Sequence, residues 1–400
     1  MNKRLLNSVF LTLCIPAILF SQNIRVNEIY PFVAIQKGEF RQAIDSLDNL
    51  LLKNPKADFF LAKAEALYQL GRFEEALVTC NKIEKIKPGL SSGLKLKIHL
   101  KSGNQKELQK ALNDNIHSKY RFSLYELFND ETYSYIQETG MLDSLLSNQI
   151  YSVTEKQIYQ AKRLMDASKF TQAIFLLDGM VSKGGNTDEV YYLLSKVYYL
   201  VEDFNKAEEC INKALVLKSL CSDYLIQAAL IHNKLGKDIL SVEQVEKAVR
   251  LEPYRIGNYI LWLQLLVETE DFQKANKISL ALDELVPENA EYLYLKSKLY
   301  YLQEDNLEAL KAINASMQYK NTKECFELRG DIYSASGVYE FAVRDYAMFL
   351  DIEPYNGEIY TKKGFARLKI NDKKGACSDW EKALRYGSYK AAEYLETYCK

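Results

Sequence analysis

The sequence predicts an all-α solenoid of stacked helix pairs, and three observations with one shared period predict it. Phe170, Phe204 and Phe272 stand 34 or 68 residues apart. An alanine follows three residues after each, and Ala309, Ala342 and Ala376 continue the series Ala173, Ala207, Ala275. Five of the seven prolines, Pro55, Pro88, Pro253, Pro287 and Pro354, fall near the end of a unit. Self-similarity at this period marks helix pairs that cannot bury their apolar faces alone and therefore stack. Each unit packs on its neighbours, so length reflects unit number, and the product is an extended binding surface more often than a reaction vessel.

Composition narrows the functional classes. Lys+Arg 52 against Asp+Glu 53 leaves a net charge of -1. No basic stripe stands out, which argues against nucleic acid as partner. The three histidines, His99, His117 and His232, lie in different units without ligand spacing, so no metal site is expected. There is no nucleophile elbow, phosphate loop or zinc-protease motif. Catalytic residues and cofactors are therefore not expected.

Taken in order, residues 1–21 read as a signal peptide. Lys3 and Arg4 precede an apolar run from Val9 to Phe20, and Ser21 is the small residue before Gln22. The run is too short to span a bilayer, and no later segment reaches that length. Leu13 before Cys14 is bulkier than lipoprotein processing tolerates. Residues 22–119 hold helix-pair units, the third degenerate, with Leu108 at the alanine position. Pro31 predicts that the first helix starts near Tyr30 and is short. Between 120 and 153 no unit fits. Phe122, Leu124, Leu127 and Phe128, then Met141, Leu142, Leu145 and Leu146, predict an irregular helical connector, either a joint between two subarrays or part of one continuous array.

Residues 154–390 carry the regular array of about seven units. From Asp188 to Cys221, Tyr191, Leu194, Ser195 and Tyr198 share one helical face. Phe204 fills the turn, and Ala207, Ile211 and Ala214 line the return helix, with alanine where two helices cross closely. Residues 391–400 form a final helix that caps the array and turns its polar side to water.

At these positions the chain resembles the tetratricopeptide repeat family. The stretch from Lys323 to Asn356 matches best, with Phe326, Gly330, Tyr333, Tyr339, Ala342, Tyr346, Phe349 and Pro354. The stretch from Ala57 to Leu90 keeps Phe60, Ala64, Gly71, Phe73, Ala76 and Pro88, while that from Ser222 to Arg255 has Ser241 at the alanine position. The resemblance implies a right-handed superhelix whose concave groove binds protein segments. The closing segment, Gly375 to Cys399, looks like that of exported members from Bacteroidetes. Cys377 and Cys399 stand equally far from a turn near Ser388, so they either join in a disulfide that pins the cap or remain two buried thiols.

In that family positions 2, 5, 9 and 12 of the first helix face the groove. This singles out Tyr192, Lys196 and Tyr199, and Tyr294, Lys298 and Tyr301. Tyr and Lys at i and i+4 share a face, offering rigid amphipathic area beside a cation. The competing reading is packing, since the chain holds 29 tyrosines. Glu324, Glu327, Asp331 and Glu358 predict an acidic C-terminal end to the groove. The resemblance implies a non-catalytic exported scaffold, periplasmic or outer-membrane associated, that binds protein or peptide segments to support an envelope or secretion complex. Any tie to the envelope would be peripheral. The alternative is a peptide- or glycan-binding accessory or sensor subunit.

Overall fold

The computed structural model describes residues 25–140 and 150–399. These are helical throughout, with no strand among them. Antiparallel pairs follow one another: Val26–Gln36 with Phe40–Lys53, Ala57–Gln69 with Phe73–Ile86, Ser92–Ser102 with Gln105–Ile116, and, after an irregular stretch, Val153–Asp166 with Phe170–Ser182. Six more pairs run to Gly357–Lys369 with Lys373–Arg385, and Lys390–Tyr398 closes the chain. The leader and the segment holding Met141, Leu142, Leu145 and Leu146 lie outside the described residues.

Small residues set the spacing within each pair. Ala173, Ala207, Ala275, Ala309, Ala342 and Ala376 are all fully buried. Ser241 takes the same place, and its buried hydroxyl is paired, donating to the Ala229 carbonyl at 2.8 Å. Gly330 and Gly364 let the facing rings in: a Cβ there would stand 2.7 Å from Tyr346 and 2.5 Å from Trp380.

The tight turns repeat as faithfully as the cores. Ser168, Glu202, Gly236, Glu270, Glu304, Gly337 and Asn371 all have positive φ at one or another 33- or 34-residue step. The chain must turn left-handed there to start the return helix, and residues other than glycine are strained in doing so. An aspartate then caps the return helix: Asp203, Asp271, Asp305 and Asp372 each accept a backbone N–H three residues on.

The irregular stretch contains Leu124–Asn129, a 3-10 turn at Glu131–Tyr133 and Ser134–Glu138. Leu127, Tyr133, Ile136 and Tyr151 share one core with Leu96 and Leu112 of the preceding pair. Arg121 pairs with Glu155 on the next pair, and the Tyr151 hydroxyl donates to the Phe122 carbonyl at 2.9 Å. Packing therefore runs from the third pair into this stretch and on to Tyr151.

Two findings depart from expectation at the N-terminus. The first helix starts at Val26, before Tyr30, and carries Pro31 inside it. The missing amide costs one ladder bond, but Ile29, Pro31, Val33 and Ala34 are all buried, so tertiary packing holds the helix. The second is where that packing leads. Phe32 stacks on Tyr254 at 4.2 Å between ring centroids, and Ile29 and Val33 join the core built by Leu263, Leu282, Leu285 and Val286. The superhelix has completed one turn, and its first unit rests on the Phe272–Leu285 helix.

Candidate functional site: the concave groove

The first helices of successive pairs lie side by side and form the inner wall. Tyr192 meets Tyr224 of the next such helix at 4.7 Å, and Lys196 sits over the Tyr192 ring at 5.6 Å. Tyr199 makes an edge contact with Phe204 at 5.5 Å. Burial, with Asp223 nearby, pushes the Tyr192 hydroxyl up to about 12, so it stays protonated and able to donate. Tyr294 is half-buried against the Cys325, Leu328 and Ile332 cluster, and burial pushes it up to about 12 as well. Lys298 has no ion pair among the described residues. The two patches belong to separate cores, around Ala207 and Ile211 for Tyr192 and Tyr199, and around Ala309 and Ile313 for Tyr294 and Tyr301. Both tyrosine sets thus pack helix against helix while keeping part of each ring on the wall.

Towards the C-terminus the wall deepens into a cavity of about 460 Å³ lined by Tyr301, Asp331, Tyr346, Lys362, Phe365, Lys390 and Tyr394, among others. Its floor is a hydrogen-bonded chain. The Tyr346 hydroxyl donates to Asp331 at 2.7 Å, and Lys362 Nζ donates to Asp331 at 2.8 Å and to Glu327 at 2.7 Å. Burial works against the Lys362 ammonium, but the two carboxylates outweigh it and hold its pKa above the ordinary value. Lys362 therefore offsets one of the two negative charges that Glu327 and Asp331 bring to the expected acidic end. Glu324 and Glu358 remain exposed. Tyr301 and Phe365 give the cavity apolar walls, and Lys390 with Tyr394 of the last helix closes its end.

That last helix is tied down. Cys377 and Cys399 form a disulfide with Cα atoms 5.8 Å apart. Trp380, fully buried, stacks on Tyr394 at 5.0 Å and donates its indole N–H to the Thr361 carbonyl. Asp379 is buried between Lys363 at 3.3 Å and Arg367 at 2.9 Å, which offset only part of the cost of burying its charge, so burial still holds its carboxyl above the usual range.

Models of the tetratricopeptide repeat match residues 33–91 and 188–219. A TPR repeat-containing protein of Methanocaldococcus jannaschii is 20% identical, with 83% of this chain and 70% of that protein aligned. Human Superkiller complex protein 3 is 21% identical over 80% of this chain, which spans 22% of the human protein's length. Among solved structures, a tetratricopeptide repeat protein from Parabacteroides merdae superposes with a TM-score of 0.52 at 17% identity, covering 62% of this chain and 99% of that one. A chain of the APC/C hetero-tetramer Cut9-Hcn1 gives 0.50 at 12% identity, covering 92% and 89%. The fold is a tetratricopeptide-repeat solenoid.

Within that tetratricopeptide frame, sequence reasoning passed over Lys362, Phe365, Lys390 and Tyr394. The family pattern points to Thr361 at position 5 of the last unit, yet Thr361 is buried and hydrogen-bonds Ser388 and the Gly357 carbonyl. Lys362, one residue on, reaches back 31 and 35 residues to Asp331 and Glu327. A lysine about one unit after a pair of carboxylates was the available signal. Lys390 and Tyr394 had none, because their helix falls outside the repeat. His232 packs beside Glu208 at 3.3 Å, and no group of three His, Cys, Asp or Glu that could hold a metal occurs among the described residues. Burial pushes the Cys80 and Cys210 thiols up to about 11, which leaves them unreactive.

Proposed function

We propose that the protein is a non-catalytic exported scaffold that holds an extended peptide or protein segment in the C-terminal part of its concave groove, in support of an envelope or secretion complex. The observation that carries the reading is the cavity built by Tyr301, Asp331, Lys362, Phe365 and Lys390, which come from four successive helices of the inner wall. Apolar ring faces with a few fixed polar groups suit an extended chain, whose side chains need area and whose backbone needs donors and acceptors. Export is supported by the basic, apolar and small-residue order of residues 1–21, and the Cys377–Cys399 bond suits an oxidising compartment. No described helix is long and apolar enough to cross a membrane.

The test is affinity recovery of residues 22–400 from the native cell envelope after mild crosslinking, beside Phe365→Ala and a Tyr192→Ala/Tyr294→Ala pair. A stoichiometric protein partner lost with Phe365→Ala supports the reading. Recovery unchanged in every variant removes the groove from it. A monomer that captures no protein but binds oligosaccharide replaces the scaffold with an accessory glycan receptor.

A further inference from the structure

One position of the repeat behaves differently in a single unit. The last residue of the return helix is Leu217, Leu251, Leu285, Tyr319 or Ile352 in successive units. Leu217 is 54% exposed and Leu251 is 39% exposed, while Ile352 is 55% exposed and Tyr319 is 53% exposed. Leu285 is 1% exposed, and it shares its core with Ile29 and Val33 of the first helix. The unit where this edge is dry is the unit on which the Val26–Gln36 helix rests.

The docked helix also packs on its own pair partner and the helix after it, with Phe32 and Ile35 beside Leu47 and Phe59 and the Tyr30 hydroxyl donating to Gln42 at 2.8 Å, but it is terminal and has little stability of its own. It is 11 residues long, has Pro31 inside, and lacks a side-chain N-cap. Helices this short are marginal in water and owe their order to tertiary packing. The contact is a mixed one: Phe32 stacks on Tyr254, Tyr254 O–H reaches Glu28 at 3.5 Å, and Lys56 reaches Glu28 at 3.3 Å. Glu28 and Tyr254 lie 226 residues apart, so the contact closes a loop that contains the whole first superhelical turn.

We propose that the Val26–Gln36 helix is a latch that opens and closes this turn without unfolding the units behind it. Shut, the turn is a ring that a partner enters only by a free chain end. Open, the inner wall takes a folded or looped segment from the side. The consequence for binding rests on the groove reading above, whereas the latch itself does not.

Hydrogen exchange with mass spectrometry on the full mature chain, with small-angle scattering, tests it on the free protein. Local openings lie below global unfolding in free energy. In the wild type the Val26–Gln36 amides should exchange at least about tenfold faster than those of Phe73–Ile86. Phe32→Ala should speed exchange in Val26–Gln36 and at the C-terminal end of Phe272–Leu285, raise the radius of gyration, and leave Asp188–Leu251 unchanged. Glu28→Gln, a milder change, should give the same pattern at smaller amplitude. The latch is overturned if residues 26–86 gain exchange together in both variants, since the whole N-terminal end then unfolds as one. It is also overturned if neither variant alters exchange near Leu285. A latch that opens beside a groove whose variants recover every partner unchanged leaves the inference standing and removes the groove reading.

Discussion

Phe32 lies flat on Tyr254, with ring planes 4° from parallel and centroids 4.2 Å apart, and so joins the first helix of the array to a loop one superhelical turn later. The two residues belong to no common unit. Their meeting turns an open array into one with a closed first turn.

That stack has a measurable worth. A double-mutant cycle with Phe32→Leu and Tyr254→Leu should return a coupling of about 0.5–1.5 kcal/mol, the range for aromatic pairs beyond their buried area. Urea unfolding of the four proteins measures it. A coupling near zero would mean the rings merely share a surface.

Two helical glycines should respond to alanine in opposite ways. Gly179 has open space where a Cβ would go, so Gly179→Ala should stabilise by about 0.5–1 kcal/mol through helix propensity alone. At Gly364 the new Cβ would stand 2.5 Å from Trp380 Nε1. Overpacking there should cost about 1–3 kcal/mol and outweigh the propensity gain. Thermal or urea unfolding of both variants gives the signs directly.

Reduction should loosen the C-terminal end first. The Cys377–Cys399 bond closes a loop with a sequence separation of 22, for which chain entropy predicts about 3 kcal/mol of stabilisation. Dithiothreitol should lower the urea midpoint reported by Trp380 fluorescence in a Trp262→Phe background, with little change in far-UV ellipticity of the rest. A Cys377→Ser/Cys399→Ser protein should match the reduced wild type and ignore the reductant.

Acid should weaken the middle of the array through His232. Burial lowers its pKa from 6.5, and Lys237 lowers it further against the opposing pull of Glu208. The unfolded chain therefore binds a proton at His232 more readily than the folded one. Stability from this group is complete above pH 6.5 and is lost as pH falls from there towards the lowered folded value. His232→Phe puts an aromatic where other units carry Tyr198, Tyr300 and Tyr333, and should reduce the loss of urea midpoint between pH 7 and pH 5. An equal loss in both proteins would assign the acid sensitivity to other groups.

Much of the local structure was legible in the sequence because it rests on short-range rules. The alanines at 34-residue steps identify the crossing points, and each is fully buried. The left-handed turn at Glu202, Glu270 and Glu304 was not legible, since glutamate gives no local sign of positive φ. Tyr192 and Tyr294 were singled out by position within the repeat, and the structure shows both of them packed against the neighbouring first helix. Lys362 was missed because its role is set by a neighbouring unit's carboxylates, and Lys390 because the last helix follows no repeat.

By itself, the sequence determined the helix pairs, their period and the residues at their crossings, for these depend on contacts within one unit or between neighbours. Only the tertiary structure decided that Val26–Gln36 covers Leu285 and that Phe32 meets Tyr254. Those contacts arise from small rotations between units, summed over a full turn and through the irregular stretch before Tyr151. No single unit encodes that sum, so it emerges only when the whole array is assembled.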